Sequence, residues 1–469
     1  INSLMANPDL LTNNFYTDIE LEEKINPKTN QKYASVKVTR KIMNKNKEKV
    51  LKRVPIAENN ICIKRDDKKC INCGACKGIC MSRIGVFGHY DMQHENIRCI
   101  NCGQCSLICP TGSISEVLDY KKVIKDIEND KTVIFQIAPS VRFLLGDEFG
   151  YKPGKNVQGK IITALKILGA SYVFDTSFGA DLTICEEANE FIERINNSER
   201  LPLMTSCCPS WVKYVSEFYP KYKKNLSTTK SPVLMMGAVI KNYFAKKKNL
   251  DNVVVVAVVP CTAKKYEISK TDDVDIAITV RELGMWIREA GINFRKLENS
   301  RFDSFDGTGA GILFGASGGV TESMLRYVYH KLTNRSPYKK ILEYTPIRGL
   351  DDIKIADIKI KDHSIKMAVV NGTGDVPKLI KMMEDEKKHF DIIEVMACDG
   401  GCIAGGGGSR AYKINNDNKK KRISAIYRKD KGKKRRSCYE NPLIRKLYKE
   451  LLVEEGSDVA KKLLHVREE

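Results

Sequence analysis

The sequence predicts an α/β domain with largely parallel sheets and cysteines at its strand ends, preceded by a small α+β domain built around two cysteine runs. Three observations carry this reading. From about residue 126 onward, short apolar strands alternate with amphipathic helices, the pattern of α/β architecture. Three of those strands run directly into cysteine, in "LPLMTSCC", "VVVVAVVPC" and "DIIEVMAC". Between residues 62 and 125, "CINCGACKGIC" and "CINCGQCSLICP" form an internal repeat with an offset of 29 residues, Cys70 to Cys99.

At 469 residues the chain exceeds one typical core. The expected division is a basic segment over 1–60, small or partly disordered, a cysteine-rich domain over 61–125, a catalytic domain over 126–410, and a basic helical segment over 411–469 that completes it. The composition, 42% hydrophobic and 29% charged, is that of a globular protein. No apolar run approaches membrane-spanning length, the longest lying around 253–259, and the N-terminus lacks a charged head followed by an apolar stretch; a cytoplasmic protein is expected. The net charge is +21, from 79 basic against 58 acidic residues, with the densest run in "KKKRISAIYRKDKGKKRR" over 419–436. Such a run is first a solvated surface and second a docking field for an acidic protein, and no nucleic-acid motif accompanies it.

Taken in order, "YASVKVTRKI" reads as one strand of a small sheet. The two cysteine runs follow the C-x2-C-x2-C-x3-C spacing of a two-cluster bacterial ferredoxin, so the small domain is expected to be bacterial-ferredoxin-like. Three cysteines of each run wrap three corners of a cubane and the fourth serves the other cluster. Cys70, Cys73, Cys76 and Cys109 are expected to hold one 4Fe4S cluster, and Cys99, Cys102, Cys105 and Cys80 the second. Zinc, the alternative, favours paired C-x2-C arms over triplets. Cys62 lies outside the repeat and reads as a small buried residue. Beyond 126 the strands are "TVIFQIA", "YVFDT", "PLMTS", "NVVVVAVV", "VDIAIT", "KMAVVN" and "DIIEVMA". The helices include "DLTICEEANEFIERI", "SPVLMMGAVIKNYFA", "VRELGMWIREAG" and the terminal "ENPLIRKLYKELL". Lys-rich stretches such as 243–250 read as surface turns.

Ligand sites in open α/β sheets lie at the carboxyl ends of strands, so Cys208, Cys261 and Cys398 are placed to converge on one crevice. Cys402 follows Cys398 across "DGG", a loop able to turn back and supply a fourth thiolate. Four sulfurs suit another cubane. Cys207 is then spare, because neighbouring side chains diverge. The glycines of "GGCIAGGGGS" lack the Lys-Ser/Thr of a phosphate loop and read as close backbone approach to a metal centre, and "GTGAGILFGASGG" over 307–319 matches a dinucleotide fingerprint only loosely.

"TSCCPSW", "PCTAKKYE" and "EVMACDGGCIAGGG" resemble the three signature segments of the [FeFe]-hydrogenase catalytic domain, in the family's order. The resemblance extends through "APSVRFLLGDEFG", "FGADLTICEEANEFIERI", "LSTTKSP", "ILFGASGGVTES" and "SCYENPLIRKLY", covering roughly 62–469. It implies a six-iron centre: a cubane on Cys208, Cys261, Cys398 and Cys402, with Cys402 also bridging to a di-iron unit carrying CO, cyanide and azadithiolate. It implies that Lys264 donates to one cyanide, that Ala138, Pro139 and Ser140 contact the other, and that Met396 packs against the cluster. By the same match Cys207 passes protons to the bridging amine, and a relay continues through Glu187, Ser227 and Glu190 to Arg194 near the surface. A free thiol titrates near about 8.5, close enough to neutral to give and take protons. Burial is expected to raise Glu187 and Glu190, which share one helix face.

The sequence departs from better-known members at Val259, where Met is usual, at Val233, where Gln is common, at Cys185, another usual Met, and at Ser210, usually Gly. Val259 and Val233 are expected to border the cofactor. The roles of Cys62, Cys185 and Cys438 stay open. The implied reaction is the interconversion of two protons and two electrons with H2, with an acidic ferredoxin as electron carrier and maturation proteins supplying the di-iron unit. Two alternatives are a low-turnover hydrogen sensor and a non-enzymatic iron-sulfur assembly factor. Sensors tend to replace the relay cysteine and append a signalling domain, whereas Cys207 is intact and the chain ends soon after the catalytic domain. Assembly factors lack the full signatures that "TSCCP" and "CDGGC" supply here.

Overall fold

The computed structural model describes residues 52–90 and 97–466, together with the backbone of β1 (Ile19–Ile25) and β2 (Lys32–Val38). β1 and β2 pair antiparallel, and "YASVKVTRKI" supplies the second of them. The rest of the expected basic, partly disordered segment up to residue 51 lies outside the described residues. The chain divides into two compact units, 1–53 with Asn72–Gly74, and Val54–Ile71 with Ala75–Glu469. Cys73 belongs to the first unit and the other expected cluster ligands to the second.

In the second unit the cysteine-rich part is α+β. β3 (Ile63–Arg65) and β4 (Ile114–Glu116) pair antiparallel, and the helices Ala75–Ser82 and Gln104–Ile108 lie between them in sequence. Val54, Cys62, Ile63, Cys76, Cys105 and Ile114 form its small core, where Cys62 is fully buried. Buried polar bonds stitch this part to the rest of the unit. Arg281 Nε donates to Glu116 Oε1 at 2.9 Å, its Nη2 to Ser106 Oγ at 3.0 Å and its Nη1 to Gly408 O at 2.6 Å. Burial pushes the Glu116 carboxyl up, but the Arg281 guanidinium wins and holds it below its usual range.

Two four-stranded sheets form the α/β body. In one, β5 (Thr132–Ile137), β6 (Tyr172–Asp175), β8 (Val253–Val259) and β9 (Ile276–Thr279) run parallel in the order β6-β5-β8-β9. The unbroken Val-rich run of β8 reflects cover on both faces. In the other, β7 (Leu203–Met204), β10 (Ile353–Ile360), β11 (His363–Asn371) and β12 (Ile392–Met396) take the order β10-β11-β12-β7, and only the β10–β11 pair is antiparallel. β10 was not among the strands expected from sequence. It is an edge strand that alternates buried and exposed residues, and it meets β11 through a tight turn in which Lys361 takes a φ of 51°.

The long helix Thr176–Asn197 opens on Asp175, whose carboxylate accepts the Ser177 N–H at 2.9 Å. It is buried on almost every side. The helix Gly309–Leu313 crosses it so closely that a Cβ on Gly311 would strike the Ser177 carbonyl, so that glycine serves helix packing. Lys246–Lys248, expected as surface turn, continues a helix from Ile240–Ala245. The basic run 419–436 begins within the helix Asn416–Lys431, whose inner face is anchored by Lys419 to Asp399 at 2.7 Å and by Arg422 to Asp147. Only its outer face is solvated surface. Among the described residues no helix is long and apolar enough to cross a membrane.

Candidate active site

The C-terminal ends of β5 and β8 from one sheet, and of β7 and β12 from the other, open onto a single cavity, which together with the solvent at its mouth leaves about 740 Å³ free of protein atoms. The expected crevice of one open sheet is therefore shared between two. After β5 come Ala138, Pro139 and Ser140; after β8, Cys261; after β7, Cys207 and Cys208; after β12, Cys398; and Cys402 returns from the following loop. All line the cavity, as do Lys264, Met396, Val233 and Val259. Ser210 and Thr176 line it too, without having been assigned to the site from sequence.

Cys208 stands immediately before the helix Pro209–Phe218, whose first residue is a proline, and the Ser210 and Trp211 N–H groups face its sulfur. Among the described residues the only charged side chain on the wall is Lys264, whose Nζ donates to Glu267 Oε2 at 2.8 Å and to the Cys207 carbonyl at 3.3 Å. Burial pulls Lys264 down, but the Glu267 charge and hydrogen bond, then Cys261 and Cys207, outweigh it and hold the ammonium charged. Burial first, and the charge of neighbouring thiols second, push Cys261 and Cys402 up to about 12 and Cys398 far above the thiol range. Left bare, the cavity holds neutral thiols. Four thiolates there need a polycationic body among them, which an iron-sulfur cubane supplies. Among the described residues no three His, Cys, Asp or Glu side chains close on a single metal ion, as tetrahedral zinc would require. The hydroxyls of Ser140 and Ser210 are buried and have no partner among the described residues. The donor set and these hydroxyls fit a bound cluster.

Cys207 also faces the cavity, but burial, then the charge of Glu187, pushes its thiol well above the ordinary range. The near-neutral thiol expected from sequence is thus shifted upward by this surrounding. Glu187 is fully buried; the Ser227 hydroxyl and the Ser206 N–H lie near enough to pull its carboxyl down, but among the described residues neither oxygen is engaged at full hydrogen-bond geometry. Burial, then the charge of Glu190, lifts it to about 8. Ser227 Oγ donates to Glu190 Oε2 at 2.8 Å, and Arg194 Nη2 donates to Glu190 Oε1 at 2.5 Å. Arg194, expected near the surface, is only 2% exposed, because its guanidinium is roofed by the carbonyls of Arg200, Asn225 and Leu226. Cys185 and Cys438 meet thiol to thiol in the core, and neither lines the cavity.

In the cysteine-rich part, burial pushes the thiols of Cys80, Cys102 and Cys105 up, and charge acts across the two runs as well, Cys99 raising Cys80 and Cys80 raising Cys102 and Cys105. Burial pushes Cys109 up, but the N–H groups of Ile114, Thr111 and Ser113 and the Thr111 hydroxyl win and hold its thiol below the usual range. The glycines after Cys402 divide their work. Gly401 and Gly405 line the cavity, whereas a Cβ on Gly406 would run into the Cys102 carbonyl, so there the close approach is to the cysteine-rich segment and not to a metal centre. Sequence reasoning missed Gln104, whose Nε2 donates to Cys398 Sγ at 3.2 Å. It also missed Glu186, which accepts from Tyr448 Oη at 2.6 Å and lies 3.0 Å from His465 Nε2.

A family model described as the iron-only hydrogenase large subunit, C-terminal domain, matches residues 131–406. One for the iron hydrogenase small subunit matches 416–467, and one for a 4Fe-4S binding domain matches 96–115. The chain is 39% identical over 433 residues to the NADP-reducing hydrogenase subunit HndD of Solidesulfovibrio fructosivorans, covering 86% of this chain and 73% of that protein. It is also 39% identical over 433 residues to iron hydrogenase 1 of Clostridium pasteurianum, covering 86% and 75%. At 28% identity over 360 residues it is similar to the cytosolic iron-sulfur assembly component 3 of Bos taurus, covering 72% and 74%. Among solved structures it is similar to the apo [FeFe]-hydrogenase of Chlamydomonas reinhardtii, with a TM-score of 0.66 and 31% identity over 75% of this chain and 98% of that one. With the matched models spanning most of the sequence and the strand-end cysteines gathered on one cavity, the chain belongs to the iron-only, or [FeFe]-, hydrogenase family.

Proposed function

We propose that the chain is a hydrogenase interconverting two protons and two electrons with H2. One observation carries the reading: a single cavity gathers Cys208, Cys261, Cys398, Cys402, an additional thiol and one ammonium on an otherwise largely apolar wall. In this reading those four cysteines hold the active-centre cubane, and Cys402 also meets a di-iron unit with CO, cyanide and azadithiolate. When bound, that centre supplies the open metal site at which H2 is made or split. The protein's own groups do the rest. Lys264, kept charged by Glu267, offers N–H donors to an anionic ligand, and the unpartnered Ser140 hydroxyl offers another. Val233, Val259 and Met396 keep water off that wall.

Cys207 holds a proton at Sγ facing the cavity, and Glu187 behind it is the next acceptor, since a carboxyl titrating near 8 both gives and takes a proton at neutral pH. Ser227, Glu190 and Arg194 continue the line as one hydrogen-bonded run. Electrons enter through two 4Fe4S clusters, one on Cys70, Cys73, Cys76 and Cys109, the other on Cys99, Cys102, Cys105 and Cys80. The proposed carrier is an acidic ferredoxin, met by the basic surface, in a cytoplasmic setting, with maturation proteins supplying the di-iron unit.

The similarity to an assembly protein gives a second reading, in which clusters are carried without turnover. Infrared spectra of matured protein, paired with an H2 assay, separate the two. CO and cyanide bands with rapid H2 turnover are expected. Bands with only trace turnover would indicate a sensor, and no bands after maturation an assembly factor.

A further inference from the structure

Gln104 sits between two cysteines of the second run, at the start of the helix Gln104–Ile108, and is buried. Its side-chain amide leaves the cysteine-rich segment and enters the wall of the active cavity. Nε2 donates to Ala404 O at 2.8 Å and to Cys398 Sγ at 3.2 Å. The Ala404 carbonyl only accepts, so it fixes the NH2 end of the amide on this side and leaves the second N–H for the sulfur. The main-chain N–H of the same residue faces the Cys102 sulfur. One residue thus touches a cysteine of each neighbouring group, by its backbone on one side and its side chain on the other. The Ser106 hydroxyl to Gly406 O at 3.3 Å and the Thr262 hydroxyl to Asn101 O at 2.7 Å hold the two segments in this register.

We infer that Gln104 is a positioning residue that sets the reduction potential of the cubane held by Cys208, Cys261, Cys398 and Cys402, and keeps it within reach of electrons from the neighbouring cluster. The inference rests on the ligand assignment proposed above. Reduction adds one negative charge to a cubane and its thiolates. An N–H aimed at a ligand sulfur stabilises that charge and raises the potential. The step is a bare electron transfer: the neighbouring cluster loses one electron, the cubane gains it, and no bond or proton changes hands. The amide is neutral and pinned at both hydrogens, so its effect is constant across pH. Nothing in the spacing of "CINCGQC" marks the glutamine; only the approach of the 398–406 loop gives it this contact.

The test is a redox titration, followed by electron paramagnetic resonance, of the full chain carrying its iron-sulfur clusters without the di-iron unit, so that turnover plays no part. In Gln104→Leu the reduced-to-oxidised ratio of the active-centre cubane at a fixed potential is expected to fall about tenfold, which for a one-electron couple is a shift of 59 mV to more negative potential. Gln104→Glu, nearly isosteric but an acceptor, is expected to move it further in the same direction. The neighbouring cluster is expected to move less in both. Should the Leu variant lose the cubane, the sign of the shift in the Glu variant decides. An unchanged midpoint, or a positive shift, with the cubane retained would overturn the inference. Absence of that cubane from the unaltered chain would instead sink the ligand assignment.

Discussion

Two turns of one helix present opposite chemistry. Around Glu187, the helix Thr176–Asn197 holds a fully buried carboxyl that only the Ser227 hydroxyl and the Ser206 N–H approach, neither at full hydrogen-bond geometry, behind a cavity lined by thiols and two serine hydroxyls without partners among the described residues. One turn on, Glu190 is saturated by Arg194, the Ser227 hydroxyl and the Thr228 N–H. The surrounding residues are equally well bonded. Glu186 accepts from Tyr448 and Gly456 N–H, and His465 Nδ1 lies 2.8 Å from Thr228 Oγ1. A buried polar group left unsatisfied costs stability, so its persistence marks the place where something else completes the site. In the proposed relay the Glu187 end exchanges a proton and the Glu190 end stays in place, so the two have different duties.

Substitutions along the helix should separate those duties. Cys207→Ala is expected to lower H2 turnover by at least about 100-fold while CO and cyanide bands remain, the scale of losing a positioned proton donor. Unchanged turnover would remove Cys207 from the relay. Glu187→Gln should cost turnover on the order of 100-fold with the fold intact. Glu190→Gln should cost the fold as well, by about 3 kcal/mol, because it strands the buried Arg194 charge; denaturant unfolding would read this. Equal destabilisation by both glutamines would erase the distinction.

The pH dependence sharpens it. With Glu187 raised from 4.5 to about 8, the folded chain keeps a proton through that window which the unfolded chain has released. Stability therefore falls as pH rises from 4.5 towards 8 and levels off above it. Glu187→Gln removes that slope: its melting temperature should match the parent's at the acid end and exceed it at the alkaline end. Melting curves that stay parallel across the window would show that Glu187 titrates normally. The smallest effect is expected at Tyr448→Phe, which removes one bond to Glu186 at the saturated end. It should lower stability by about 1–2 kcal/mol and leave turnover within about twofold.

Much of the site was legible because its residues carry their own signal. Cys208, Cys261 and Cys398 follow apolar strands, and the sheet pairing brings those strand ends to one cavity. That the ends belong to two sheets was not legible, since strand runs in a sequence do not say which partners they choose. β10 could have been found from the alternation in "IKIADIKI", which the more apolar neighbouring strands overshadowed. Arg194 was misplaced for a simpler reason: a charged residue near a helix end reads as exposed, and only the 200 and 225–226 carbonyls make burial tolerable. Gln104 and His465 were invisible because their partners lie 294 and 279 residues away.

Iron analysis of the double variant Cys398→Ala/Cys402→Ala puts the gathering of strand-end thiols to trial. Reconstituted beside the unaltered chain, it should hold about four fewer iron atoms per chain, one cubane's worth, with both ferredoxin-type cluster signals retained. An iron content equal to that of the unaltered chain would contradict the placement of a cluster on those thiols.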